Sequence, residues 1–179
     1  MRKVGAMHRT KVIGLLGERL AFERAAVKLY DGVLERLRSR GGPYHTVQAH
    51  LRRIREEEKA HEEWLEEQLR QLGGETGPEG ERLLEVRREA RRREDVLLGD
   101  PEPAQLFRQL LAAEVSDVGG WELLLEIAGR AQDDEARDAF HQRLHEEQEH
   151  FRLLCHIAAV FAGSEILDET VTTLEDASA

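Results

Sequence analysis

The sequence predicts an all-α fold, an antiparallel four-helix bundle, and three observations carry that prediction. Aromatics make up only 5% and charged residues 35% of the 179 residues, with four prolines in all, a balance that suits long helices better than a sheet. Breaks rich in glycine, proline or aspartate (SRGGP at 39–43, LGGETGPEG at 72–80, GDPEP at 99–103 and GRAQDD at 129–134) leave four long segments between them. Within each segment apolar residues recur at steps of three and four, the period of one helical stripe.

The first segment, 11–38, places Ile13, Leu16, Leu20, Glu23, Val27, Tyr30, Leu34 and Leu37 on one stripe. The second, 44–72, carries Leu51, Ile54, Glu58, His61, Leu65, Leu69 and Leu72. In the third, 101–129, the stripe is Phe107, Leu110, Glu114, Asp117, Trp121, Leu124 and Ala128. In the fourth, 133–162, it is Phe140, Leu144, Glu147, Phe151, Leu154, Ala158 and Phe161, with His150 flanking it three residues after Glu147. Helices of this length span about 40 Å at about 1.5 Å per residue, the scale of a bundle. Between the second and third lies a long crossover, and its piece GERLLEVRREARRREDVLL reads as a short, solvated connecting helix laced by i,i+4 ion pairs. One bundle domain over 1–163 and an acidic tail over 164–179 complete the expected organisation, the tail forming either a short helix or a mobile end.

Charge and cysteine usage remove several function classes. A formal net charge of -10 argues against general affinity for nucleic acid or an anionic membrane, and makes cations the more natural partners. The crossover arginines are balanced by neighbouring acids and have no aromatic among them to stack a base. Cys155 stands alone, so no internal disulfide and no CxxC metal or redox motif can form, which fits a reducing, cytoplasmic setting. The opening MRKVGAMHRTKVIGLLGERL has only a broken apolar run and reads as neither a signal peptide nor a spanning helix, so the expectation is a soluble protein.

One glutamate in each of four core stripes, and a histidine three residues after two of them, needs a physical reason. An isolated carboxylate in an apolar interior costs several kcal/mol, and the stripes as written contain no Lys or Arg to offset it. Divalent metals remove the difficulty, because carboxylate oxygen and imidazole nitrogen both ligate them and a helical step of three puts Glu and His on one side. The order is also repeated: Glu58 follows Glu23 by 35 residues, Glu147 follows Glu114 by 33, and each second glutamate begins an ExxH. A lone ExxH among 36 acidic residues carries no weight; the full set, in register on four stripes, is far more specific.

With these residues in place, the chain resembles the ferritin-like di-iron carboxylate superfamily, which includes bacterioferritins and rubrerythrins, over about residues 11–162. LLAAEVSDVGGWELL further resembles a group of uncharacterised bacterial ferritin-like proteins. The resemblance implies that Glu23 and His61 serve one metal and Glu114 and His150 the other, with Glu58 and Glu147 bridging both; Tyr30 matches a tyrosine common near such sites. It implies two iron ions per chain, with manganese as the alternative because oxygen and nitrogen ligands do not separate the two. It also implies an oxidoreductase that oxidises ferrous iron or reduces oxygen or peroxide, an external reductase, and a homo-oligomer, a dimer in preference to a cage. Iron storage in a closed shell and a di-iron monooxygenase acting on a small molecule are the rival expectations. A rubrerythrin-type cysteine-ligated iron centre cannot be built with Cys155 alone.

Asp117 is an addition to the six ligands and admits two readings: it hydrogen-bonds a ligand histidine and fixes its tautomer, or it lies at the stripe's edge and reaches water. Trp64 and Trp121 read as packing residues, and His45, His50, His141, His145 and His156 as surface or marginal histidines. Glu57 and Glu146 fall off the stripes and are expected in solvent.

Overall fold

The computed structural model describes residues 8–74 and 101–171, together with Lys3. These residues form four long helices, α1 (Arg9–Leu37), α2 (Tyr44–Gln71), α3 (Pro103–Arg130) and α4 (Asp134–Leu167), and no strand occurs among them. The crossover helix expected within 72–103 and the last residues of the tail lie outside the described residues. Helix α4 runs past the expected end at 162, through Gly163 to Leu167, and closes on Asp168 in the left-handed conformation at φ 54°.

Local chemistry sets the ends. Helix α2 terminates because Gly73 adopts φ +63°, which lets its N–H reach the Arg70 carbonyl at 2.9 Å and the Gly74 N–H reach the Leu69 carbonyl at 2.8 Å. Helix α3 begins with Pro103 in its first turn and a reciprocal cap between Glu102 and Gln105. Asp133 opens α4 by accepting the Ala136 N–H at 3.2 Å, and Asp134 and Glu135 complement the helix dipole there. Asp133→Ala should therefore lower stability by about 1 kcal/mol, measurable as a fall in urea midpoint with unchanged m-value.

Helix α1 packs along α2 and α3 along α4, giving two hairpins that meet through α1 against α3 and α2 against α4. Two apolar clusters fix the helix directions. One joins Leu29, Val33 and Leu37 late in α1 with Val47 and Leu51 early in α2, Phe107 and Leu110 early in α3, and Leu154 and Phe161 late in α4. The other joins Leu16 and Leu20 early in α1 with Leu65 and Leu69 late in α2, Trp121 and Ala128 late in α3, and Phe140 and Leu144 early in α4. Helices α2 and α3 thus run the same way, so the chain leaves α2 at one end of the bundle and enters α3 at the other.

Helix α1 buries more than the single expected stripe: Val12, Ala26, Leu29 and Val33 are buried, whereas Ile13 and Leu34 are only partly so. The cause is its contact with both α2 and α3, which widens the covered face. By length and composition α4 is apolar enough to cross a membrane, with mean hydropathy 1.2 over an 18-residue window of which 28% is buried, and its Leu154, Ile157, Ala158 and Phe161 belong to the bundle core. Along every helix the two clusters are separated by acidic positions: Glu23, Glu58, Glu114 and Glu147 all fall between them.

Candidate metal centre

Each helix delivers one glutamate to this middle layer. Glu23, Glu58, Glu114, Glu147 and His150 have no exposed surface, and His61 has 2%. All six ligand candidates therefore point inward and meet, as the stripes predict.

They form two overlapping clusters. Glu23, Glu58, His61 and Glu147 each place one donor atom within 4.8 Å of the others, and so do Glu58, Glu114, Glu147 and His150. Donors about 2.0–2.2 Å from a common ion lie about 3–4 Å from one another, so both clusters have the dimensions of a coordination sphere that a small adjustment would close. Glu147 faces both: its Oε1 is 3.0 Å from His61 Nδ1 and its Oε2 is 3.5 Å from His150 Nδ1. Glu58 Oε1 lies 3.4 Å from His150 Nδ1.

The decisive observation is which buried atoms lack a hydrogen-bond partner. Among the described residues both oxygens of Glu23, both of Glu58, Oε2 of Glu114, Oε2 of Glu147 and Nδ1 of His150 are in this state, all of them on candidate ligands; the other two such atoms are the guanidinium Nε of Arg19 and of Arg143, which offer no lone pair to a metal. Buried polar groups are ordinarily satisfied, and a cluster of unsatisfied acceptors in a dry interior has the donor chemistry of a cation site.

The histidines are held from outside. His61 Nε2 lies 2.7 Å from Glu146 Oε2, and His150 Nε2 lies 2.7 Å from Glu57 Oε2. Each carboxylate comes from the opposite hairpin, so α2 orients the α4 histidine and α4 the α2 histidine. A proton on Nε2 leaves Nδ1 as the lone-pair nitrogen turned towards the carboxylates. This corrects the expectation that Glu57 and Glu146 are solvated: their side chains are 33% and 31% exposed, enough to touch water while holding an imidazole. A signal for them was present, since each ExxH is in fact EExxH, at Glu57-Glu58 and at Glu146-Glu147. Glu57→Gln and Glu146→Gln should each weaken metal binding about 10–100-fold without unfolding the bundle, measurable by calorimetric titration.

Asp117 takes neither of its two expected roles. It is buried, and its Oδ1 accepts from the Arg19 guanidinium, not from a histidine. Arg19 itself, only 4% exposed, overturns the expectation that no cation enters the core stripes. Its Nε lies 2.9 Å from Glu23 Oε1 at ion-pair distance without the alignment of a hydrogen bond, and its guanidinium rests 5.6 Å from the Trp121 ring. The stripe did contain it: Arg19 stands three residues after Leu16 and four before Glu23. Gly120 makes the room, because a Cβ there would overlap the guanidinium.

Tyr30 donates its hydroxyl to Glu114 Oε1, so it is both a core residue and a neighbour of the site. Trp121 packs as expected and also donates Nε1 to Glu147 Oε1 at 3.1 Å. Trp64 packs against Phe140 and carries the Arg143 guanidinium 3.8 Å above its ring. His45, His141 and His145 are exposed and His50 and His156 half-buried, away from the centre.

Proximity and burial reshape the ionisation of the layer. Burial, then repulsion from Glu147, Glu23 and Glu114, pushes the Glu58 carboxyl well above its ordinary range. Burial raises Glu114 to about 7 against the opposing pull of His150. Burial works against the imidazolium of His61 and His150, but the surrounding carboxylates outweigh it and raise them to about 12 and about 11. Burial also opposes ionisation of Glu147, yet the facing imidazoles of His150 and His61 hold it below its usual value. Without metal, protons therefore occupy the place of the missing positive charge.

Comparison of the chain with protein-family models, with curated proteins and with solved structures gives no match.

Proposed function

We propose that this chain is a ferritin-like di-iron protein that oxidises ferrous iron or reduces oxygen or peroxide at a carboxylate-bridged metal pair. The observation that carries it is the set of unpartnered buried carboxylate oxygens and one imidazole nitrogen in the middle layer, contributed by the four glutamates and His150. Glu23 and His61 would hold one ion, Glu114 and His150 the other, and Glu58 and Glu147 both.

Charge balance supports two divalent ions. The four glutamates contribute four negative charges, Arg19 and Asp117 offset each other, and neutral histidines add nothing, so two dications bring the interior to neutrality. A bound iron pair supplies two electrons, one from each ferrous ion, which with two protons convert peroxide to two waters. The chain's own part is to fix the donors, to exclude water with the apolar clusters on either side, and to hold each imidazole through Glu57 or Glu146. Tyr30 keeps Glu114 oriented through one oxygen and leaves Oε2 free for an ion. The parallel course of α2 and α3 supports the long crossover of this architecture.

Anaerobic ferrous loading followed by exposure to oxygen or peroxide tests the reading. About two irons per chain should bind, with an absorption band of a bridged ferric pair that disappears in Glu147→Ala. Protein that takes up no iron, or iron that stays ferrous with both oxidants, would refute it.

A further inference from the structure

The two hairpins are near-copies, and the places where they differ are informative. Tyr30 stands seven residues after Glu23 and Trp121 seven after Glu114, so each hairpin supplies a polar aromatic at the same register. The Glu57–His150 and Glu146–His61 pairs are likewise matched at 2.7 Å. Arg19 and Asp117 have no counterparts. Four residues before Glu114 stands Leu110, and three residues after Glu23 stands Ala26. The buried ion pair therefore breaks the symmetry of the layer and touches one position only.

Its placement decides which. Arg19 Nε sits 2.9 Å from Glu23 Oε1, and its Nη2 binds Asp117. The other terminal glutamate, Glu114, has instead an uncharged hydroxyl as its neighbour, that of Tyr30. A full positive charge in contact with a ligand carboxylate draws off part of the negative potential that attracts a cation, whereas a neutral donor does so far less. On the outer side Arg19, with Phe22, Gly120 and Leu123, lines a groove between α1 and α3 that leads from the surface to the guanidinium. Leu123 is 53% exposed at its rim.

Building on the metal-pair reading, we infer that the two positions are unequal: the Glu23–His61 position is the weaker and exchangeable one, set so by the buried Arg19–Asp117 pair, while the Glu114–His150 position retains its ion. Arg19 is a positioning and tuning residue here, not a ligand. The groove reaches Arg19, the neighbour of Glu23, and Gly120 is the residue that lets the guanidinium lie there.

Calorimetric titration of full-length apoprotein with Mn²⁺, with bound metal counted after gel filtration, tests this without recourse to activity. The parent should bind in two steps at least about tenfold apart, a difference of about 1.4 kcal/mol. Glu23→Ala should keep the tight step, and Glu114→Ala only the weak one. Arg19→Leu combined with Asp117→Ala copies the Leu110 and Ala26 of the other hairpin; it should tighten the weak step and narrow the gap. Should that double variant fail to fold by circular dichroism, Gly120→Ala displaces the guanidinium with its charge retained, and should narrow the gap in the same direction. Two equal steps in the parent, a tight step lost in Glu23→Ala, or a gap unmoved by a folded symmetrising variant overturns the inequality while leaving the metal-pair reading intact. Absence of any binding overturns both.

Discussion

Glu58→Leu should yield a metal-free protein that melts higher than the parent and no longer takes up a metal pair. Neither Glu58 oxygen has a hydrogen-bond partner, both are fully buried, and Glu147, Glu23 and Glu114 surround them. Leaving a buried polar group unsatisfied costs about 1–3 kcal/mol, and replacing such a group with a well-packed apolar one commonly restores it. For a chain of this size each kcal/mol moves the melting temperature by about 2–4 °C, so a rise of about 5 °C in chelator is expected. The parent should overtake the variant when metal is added, because an ion that binds only the folded state adds stability in proportion to the logarithm of its concentration. Thermal melts of both proteins, with chelator and with Mn²⁺, give four numbers whose order settles the matter. A variant that melts lower than the parent in chelator would show that Glu58 is structural.

Metal uptake should release protons, and the metal-free protein should lose stability as pH rises. Glu58 and Glu114 are raised, Glu114 to about 7, and His61 and His150 are raised to about 12 and about 11. A group raised in the folded state contributes stability that is complete below its unfolded pKa and is lost as pH climbs through the folded one. For Glu114 that window runs from about 4.5 to about 7, and for the histidines from about 6.5 to about 11 or 12. Glu147, held low, acts in the opposite sense, its contribution being lost only under strong acid. Apoprotein stability should therefore fall steadily between about pH 5 and pH 9. Ions need the same lone pairs that the protons occupy, so metal affinity should rise over that range. Adding Mn²⁺ to weakly buffered apoprotein near pH 6 should acidify the solution, and the release per ion should be smaller at pH 9. A pH-independent affinity would mean that the titrating groups are not the ligands.

The buried acidic layer was legible because burial of charge is written into helical period. Glu23, Glu58, Glu114 and Glu147 each occupy a stripe that is otherwise mostly apolar, and periodicity alone turns them inward. Arg19 lies on that stripe as well, but a long side chain at a margin is ordinarily read as snorkelling to solvent, and only the gap left by Gly120 shows that it goes in. Glu57 and Glu146 were hidden for another reason. Their partners belong to the other hairpin, and no spacing within one helix encodes a contact between helices 93 or 85 residues apart in sequence. The role of Asp117 was missed together with that of Arg19, since each is intelligible only as half of a pair.

Apolar packing concentrates at the two ends of the bundle, and helix-to-helix contact is extensive within each hairpin but sparse between them, above all where α2 faces α4. The waist of the molecule is thus a seam, and the groups facing one another across it are acids that repel when bare. A pair of ions seated there would act as rivets, fastening the first half of the chain to the second at the point where side-chain packing does least. Hydrogen exchange should record this as amides near Glu58 and Glu147 that open together when the rivets are drawn and close when they are replaced, while the leucine-rich ends hold throughout.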